Sequence, residues 1–379
     1  MTLSLDLTNG FLPPVDPVGR LGAGFEAWEA VAGEVSKLAL TDWIRPFIQQ
    51  LPPFPSHLLQ TDAEYERAMG MLGYMAALYV YAPAQPVATS LPSNLAVGWV
   101  AVAQHLGRPP ILSYASQTLF NWRRLDRERP IAIGNLTLLQ NFLGGQDEEW
   151  FVTLHMVIEA VAGRALGVLG ALATAVAEYN IPLLIGHLQT MTETIVEMEA
   201  ILRRMTERCD PYVYYHRVRP FMFGWKDNPA LPEGMVYEGV FGNRPQKLRG
   251  ETGAQSSIIP ALDVALGIGH EFDEMRAYLQ EMREYMPRQH RAFLAGLEAW
   301  GGLRPFVTQY KLAEPALTEA YNGCVAALQQ FRQLHIEYAA LYILKPAQGH
   351  KAGEVGTGGT PFTVYLKKHI RETGEHKVS

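Results

Sequence analysis

Cysteine is nearly missing: the 379 residues contain two, Cys209 and Cys324. Two cysteines exclude a disulfide framework and any zinc or iron–sulfur centre built on thiolates, and they point to a reducing cytoplasm. Basic blocks are missing too. A net charge of −6 with no cluster of Lys and Arg excludes a nucleic-acid binder. No uncharged run reaches membrane length. The most apolar stretch, Met156 to Tyr179, carries Glu159, Arg164 and Glu178 and reads as a buried helix rather than a span. The opening MTLSLDLTNGFLPPVDP has no basic start and no long apolar core, so no signal peptide is expected. The chain contains no GxSxG elbow, P-loop, HExxH or EF-hand. Strand alternation is almost absent, and no internal repeat is visible.

What remains is helical periodicity interrupted by proline and glycine, on a globular balance of 48% hydrophobic and 18% charged residues. The fold class expected is all-α. Residues 1–20 are rich in Pro and Gly and are expected to lie extended on the surface. Helices are expected over 23–50, from Thr61-Asp62 to about Tyr81, over 94–106 and over 112–124, with LPPFP at 51–55 and Arg108-Pro109-Pro110 as stops. The irregular stretch 126–145 suggests a boundary between a small N-terminal helical domain, 1–142, and a large C-terminal domain, 143–379. The large domain opens on a helix with Asp147, Glu148 and Glu149 in its first turn, where the helix dipole favours carboxylates. A second long helix spans 182–207. Residues 224–253, rich in turn signals, read as a long ordered loop or lid. Shorter helices follow over 258–270, 271–286 and 287–300. A helix from Pro315 to Lys345 comes next, then a Gly-rich loop, and then a last helix begun by Thr360-Pro361.

Four places carry chemistry. His335 lies on the Pro315–Lys345 helix with Leu328, Phe331, Tyr338 and Tyr342 on its face and Arg332 one turn before it. A buried histidine bonded to a carbonyl fits this pattern, and so does an axial haem ligand with a cation near a propionate. His335-Ile336-Glu337 has the HxE form of a non-haem iron site, but i and i+2 diverge on a helix. His155 sits in WFVTLHMVIEA, with Phe151 one turn before and Glu159 one turn after. It is either a core histidine bonded to Glu159 or one wall of a sandwich around a planar ligand. Arg219, among Tyr214, Tyr215, Phe221 and Phe223, is either a surface arginine stacked on tyrosine or a bidentate carboxylate holder in a partly dry pocket. GEVGTGGT at 353–360 has no Walker lysine. It is a connector or a backbone that folds over a ligand.

These pieces together resemble the indoleamine 2,3-dioxygenase family of haem enzymes. The matching segments run in order over most of the chain beyond about residue 90. They are LPSNLAVGWV (91–100), PPILSYASQTLFNW (109–122), RPFMFGWKDNPALPEGMVYEGVF (219–241), GAQSSIIPALDVALGI (253–268), YMPRQHRAFL (285–294), FRQLHIEYAALYI (331–343) and GTGGTPF (356–362). The resemblance implies haem b in the large domain, with His335 as iron ligand and Arg332 near a haem propionate. It implies a distal pocket lined by Tyr114 and Phe151, with Tyr214-Tyr215 as the aromatic pair before the arginine. Arg219 would take the substrate carboxylate, and Thr357 would help bind the amino-acid moiety. Three departures stand out. His155 replaces the serine of mammalian members, which is similar to tryptophan 2,3-dioxygenases and suggests a bacterial-type member. Tyr214-Tyr215 replaces two phenylalanines, and Glu251-Thr252 precedes the GAQSS turn in place of small residues.

The activity implied is opening of the indole 2,3-bond of L-tryptophan, or a related indole derivative, with O2 to give N-formylkynurenine, the first step of tryptophan catabolism. A reductant would keep the iron ferrous. The partners expected are small molecules only, with no nucleic acid and no membrane, in the cytoplasm. Other readings are a related haem enzyme inserting one oxygen into an indole or aromatic amino acid, a haem or O2-binding module without turnover, and a helical interaction protein without haem.

Overall fold

Prolines and glycines cut the described chain into thirteen helices, with 62% of residues helical and 3% in strands, so the all-α expectation holds. The computed structural model describes residues 5–83, 85–270, 273–347 and 362–379, the side chains of 362–365 excepted. The first four helices are α1 (Glu26–Leu38), α2 (Ile44–Gln50), α3 (Asp62–Val80) and α4 (Ser93–Leu106). The long pair α5 (Gln146–Ala177) and α6 (Ile181–Arg203) follows, and then a single turn, α7 (Pro211–Val213). The rest are α8 (Ile258–Leu266), α9 (Glu274–Arg283), α10 (Arg288–Trp300), α11 (Arg304–Tyr310), α12 (Pro315–Ala339) and α13 (Phe362–Glu375).

Local chemistry explains several ends. Thr61 Oγ1 accepts the Glu64 amide at 3.3 Å while Glu64 Oε2 accepts the Thr61 amide at 3.0 Å, a reciprocal cap that starts α3. The turn between α5 and α6 uses Tyr179 at φ 52°, and Asn180 then caps α6 through the Leu183 amide at 3.2 Å. α6 packs against both α5 and α12, and α13 packs on α12. α5 is long and apolar enough to cross a membrane, yet 56% of its most apolar window is buried in the protein. It is a core helix, and one hydrophobic cluster runs from Phe11 to Val378.

The structure corrects three expectations. The helix expected over 23–50 is broken into α1 and α2 by the turn at 39–43. The helix expected over 112–124 is one π turn, Ala115–Leu119, followed by strand β2 (Trp122–Arg124). That strand pairs antiparallel with β3 (Leu136–Leu138), so an extended tertiary partner overrides the local pattern. Residues 1–20 are not a surface strand throughout. Phe11 is 3% exposed, and its ring lies 4.5 Å from His290 and 5.6 Å from Phe293. This segment crosses directly over α5, where a Cβ on Gly10 would stand 1.9 Å from the Glu159 carbonyl oxygen.

The expected lid, 224–253, is ordered and fastened. Within it β4 (Val236–Tyr237) pairs in parallel with β1 (Ser90–Leu91). Trp225 donates to the Tyr237 hydroxyl at 2.8 Å, and Asn228 donates to the Tyr81 hydroxyl at 2.8 Å. Its two ends cross where Gly224 meets Gly250: a Cβ on Gly250 would lie 2.3 Å from the Gly224 nitrogen and from the Met222 carbonyl oxygen. Only glycine fits this crossing. Gly250→Ala is therefore expected to cost about 2–3 kcal/mol, by overpacking against backbone that cannot move aside. Gly253→Ala, with nothing within 4 Å of the added carbon, should cost under about 0.5 kcal/mol. Thermal unfolding of the two variants beside the parent protein checks the contrast.

Candidate functional site

Two helices and two turns converge on one interior region. α5 contributes Phe151, His155 and Glu159, one turn apart on a single face. The turn before β2 contributes Tyr114, and the π turn Tyr214–Val218 leads into a short 3-10 turn that begins at Arg219. α12 contributes Arg332 and His335, and runs straight into a third π turn, Ala340–Leu344. The first two π turns adjoin Tyr114 and Arg219, a placement common at functional sites and invisible to hydrophobic periodicity.

His155 is not bonded to Glu159, contrary to one of the two readings of the sequence. Its Nδ1 lies 2.7 Å from the Phe151 carbonyl oxygen. A carbonyl only accepts, so Nδ1 carries the proton and Nε2 keeps its lone pair. Burial lowers the imidazole pKa, against the opposing pull of that carbonyl, and the ring stays neutral. Its ring packs 4.6 Å from Phe151 and 6.4 Å from Tyr114.

Glu159 instead ties three segments together. It is fully buried, and its Oε1 accepts the Tyr114 hydroxyl at 2.9 Å and the Ser256 hydroxyl at 2.7 Å. Gln255 Oε1 accepts the Tyr114 amide at 2.9 Å, so the GAQSS turn holds Tyr114 from both ends. Burial pushes the Glu159 carboxyl up to about 7, although both hydroxyls pull it down. Burial likewise pushes Glu251 up to about 8, and Glu148 up to about 7 despite three backbone amides bonded to it.

Tyr214 packs 4.6 Å from Phe151 and 5.7 Å from Tyr342, which joins these aromatics to the π turn that follows α12. Arg219 is 2% exposed, its guanidinium carbon 5.1 Å from the Tyr215 ring centroid and 4.7 Å from that of Phe223. The surface reading of Arg219 is thus wrong. Desolvation lowers its pKa, countered by Tyr214 and Tyr215.

His335 is accessible to solvent, although Leu328, Phe331 and Tyr342 on its face are buried. Among the described residues nothing hydrogen-bonds its ring, so the carbonyl-bonded reading fails. Yet dense protein surrounds it. Desolvation first, and then the fields of His155 and Arg332, push its pKa down to about 4. The imidazole is thus accessible yet set among protein atoms, with His155 close enough to act on it. It is neutral at pH 7, as a metal ligand must be. Arg332 lies one turn away but is engaged: it donates to Asp263 Oδ2 at 2.5 Å and to Thr373 Oγ1 at 2.6 Å.

The region therefore holds a neutral imidazole with open nitrogens on one side and one with a free lone pair on the other. Phe151 and Tyr114 pack against His155, Tyr214 packs on Phe151, and Arg219 is a buried guanidinium set over Tyr215 and Phe223. That set suits a planar iron-bearing group on His335 and a small zwitterion beside it. Over residues 2–376 the chain matches the family model for indoleamine 2,3-dioxygenase. The chain belongs to the indoleamine 2,3-dioxygenase family. Indoleamine 2,3-dioxygenase 1 of Rattus norvegicus is 35% identical to it, over 97% of this chain and 93% of the relative. A 6-hydroxytryptophan 2,3-dioxygenase of Fusarium equiseti is 33% identical, over 96% and 94%. Indoleamine 2,3-dioxygenase of Saccharomyces cerevisiae is 30% identical, over 96% and 90%. These relatives are animal and fungal. As a member of this family the chain is an oxidoreductase, a dioxygenase cleaving tryptophan or an indoleamine, and the family uses haem.

Thr357 and the glycine-rich segment 353–360 lie outside the described residues. Among those described, the sequence reading passed over Ser256, Gln255, Asp263 and Thr373. The first three lie in the segment GAQSSIIPALDVALGI, where only the family likeness marked them.

Glu148, Glu159 and Glu251 each bind a proton more tightly folded than unfolded. From about 4.5 up to about 7 to 8 these three groups therefore hold protons that the unfolded chain has released, and the stability they contribute is lost as pH rises through about 7 to 8. The buried neutral histidines act in the opposite sense below about 6.5. Glu159→Gln keeps the acceptor for Tyr114 and Ser256 but removes the titration. Urea unfolding between about pH 5 and pH 9 should show a shallower decline for this variant than for the parent. Parallel declines would mean that Glu159 does not titrate in this range.

Proposed function

We propose that this chain opens the indole 2,3-bond of L-tryptophan with O2 to give N-formylkynurenine. Haem b would be ligated by His335, with Arg332 on the propionate side. The observation that carries this reading is the pair of histidines close enough for one to lower the other's pKa, His335 neutral with no hydrogen bond to its ring among the described residues, and His155 with Nε2 available as an acceptor. Bound haem supplies the activation of O2, which no side chain here can provide. The protein supplies position. His155 Nε2 would accept the indole N–H and orient the ring rather than act as a strong base. Arg219 would hold the carboxylate as a bidentate pair in dry surroundings, and so aim the C2–C3 edge. Phe151, Tyr114, Tyr214 and Tyr215 would shape the pocket and exclude water. Thr357 would bind the amino-acid moiety.

A distal histidine of this kind would make the chain a bacterial-type member, and His155 alone supports that. The division at 142/143 belongs to the same proposal: the small domain would bring Tyr114 to a site otherwise built by the large one. Two free, buried cysteines suit the reducing cytoplasm, where a reductant would keep the iron ferrous. Hydroxylated tryptophans form a second substrate class, favoured by the Fusarium relative named for one.

His335→Ala should purify folded but without stable haem, seen as loss of the Soret band; an unchanged band would overturn the ligand assignment. His155→Ala should weaken tryptophan turnover by ~1–3 kcal/mol, the range for one buried hydrogen bond, and should spare 1-methyl-tryptophan, which has no N–H to donate. Arg219→Leu should cost about 3 kcal/mol or more in kcat/KM for tryptophan, and little for an indole lacking the carboxylate. Turnover of both substrates at matched haem loading tests it, and tryptophan turnover surviving the change would show the carboxylate is held elsewhere. With labelled O2, a tryptophan product heavier by two labelled atoms supports the dioxygenase, and by one the monooxygenase.

A further inference from the structure

Behind Arg332, away from the residues assigned above, three ligand-type side chains meet. His270 follows α8, while His369 and Glu372 are one turn apart on α13. Among the described residues this is the group whose donor atoms suit a metal: one from each residue, all within 4.8 Å of one another. The two imidazoles stack with centroids 4.2 Å apart and planes 21° apart, so their nitrogens lie side by side. His270 Nδ1 is 2.7 Å from Glu372 Oε2, and its Nε2 is 3.6 Å from Asp263 Oδ2.

The ordinary explanation is a hydrogen-bonded charge network. Four buried atoms do not fit it, Asp263 Oδ1, His270 Nε2, Glu372 Oε1 and His369 Nε2, which lack a hydrogen-bond partner among the described residues, and the last is the clearest. His369 is 6% exposed, and its Nε2 is buried with no hydrogen-bond partner among the described residues. A buried polar nitrogen left unused is costly, and native interiors rarely tolerate one without an ion or water. Burial and the fields of His270 and Arg332 push this imidazole down to about 4, so it is neutral at pH 7 and has a lone pair to give. Three carboxylates, Asp263, Asp273 and Glu372, stand beside three cations, Arg332, Lys368 and Arg276, the last donating to the His270 carbonyl at 2.9 Å, so the local charge is balanced before any ion binds. Glu372 stays ionised, because His270 and Lys368 outweigh its burial.

We propose that His270, His369 and Glu372 form a site for a divalent transition-metal ion of the zinc class, separate from the haem iron. Two imidazoles and one carboxylate are a donor set that zinc takes in tetrahedral sites, and imidazole disfavours calcium and magnesium. The ion would replace the His270–Glu372 hydrogen bond and satisfy His369. It would clip α13 to the segment after α8. α13 also carries Thr373, the partner of Arg332, so the clip would hold that arginine's hydrogen-bond acceptor in place.

The test uses haem-loaded protein, stripped with a chelator that leaves haem in place and then dialysed against zinc chloride. Elemental analysis after gel filtration should find one zinc per chain beyond the haem iron, and X-ray absorption at the zinc edge should show two imidazoles. His369→Ala and Glu372→Gln should each lose that zinc, while His57→Ala, at an exposed position, keeps it. Zinc should raise the Tm of the parent protein and not of Glu372→Gln. Should His369→Ala fail to fold, Glu372→Gln, which keeps the side chain's size, decides alone. Substoichiometric zinc in the parent, or equal zinc in Glu372→Gln, overturns the proposal.

Discussion

Glu159 on α5 is the constraint on which the rest of the candidate site depends. A close-packed interior holds a polar group only where its hydrogen-bond partners are fixed around it. The buried Glu159 carboxyl binds the Tyr114 and Ser256 hydroxyls at once, so α5, the turn before β2 and the GAQSS turn share one anchor. Burial raises this carboxyl to about 7, so it takes up a proton far more readily than a free carboxyl does, which lowers the cost of burying it. The Phe151 carbonyl does the same for His155: it fixes which nitrogen carries the proton, and so which face of the ring can accept.

Two neutral histidines set the electrostatics of the region. His335 and His155 are both held neutral by desolvation, and each would raise the cost of protonating the other. Arg332 adds to that cost while its own charge is balanced by Asp263. A ligand with a proton to donate is thus favoured on the His155 side, and an electron-pair acceptor on the His335 side.

Much of this was legible in the sequence, for identifiable reasons. Long helices with an apolar stripe, such as α5 and α12, announce themselves by period, and Thr61 with Glu64 announces a cap. The apolar setting of His335 and the aromatic setting of Arg219 were readable from neighbours a few residues away. The sandwich reading of His155 was open from its helix face, but its partner was misassigned between two alternatives. Glu159 lies one turn away, yet the nearer carbonyl of Phe151 captured the ring. What periodicity could not show were features that depend on distant segments. The pairing of Trp122–Arg124 with Leu136–Leu138, the three π turns, and the link from Arg332 to Asp263 and Thr373 all belong to this group.

The crossing of the first segment over α5 bears on how the molecule is assembled. At Gly10 and Gly163 the two backbones touch with no room for a side chain, and Phe11 enters a pocket formed with α10. Residues 7–12 therefore have no surface to dock on until α5 exists, and Phe11 has none until α10 is made. On a ribosome adding ~5–20 residues per second, that segment waits on the order of ten seconds or longer with its aromatic exposed. Its docking is a late, long-range event, and α5 acquires its final cover only when most of the chain has been synthesised.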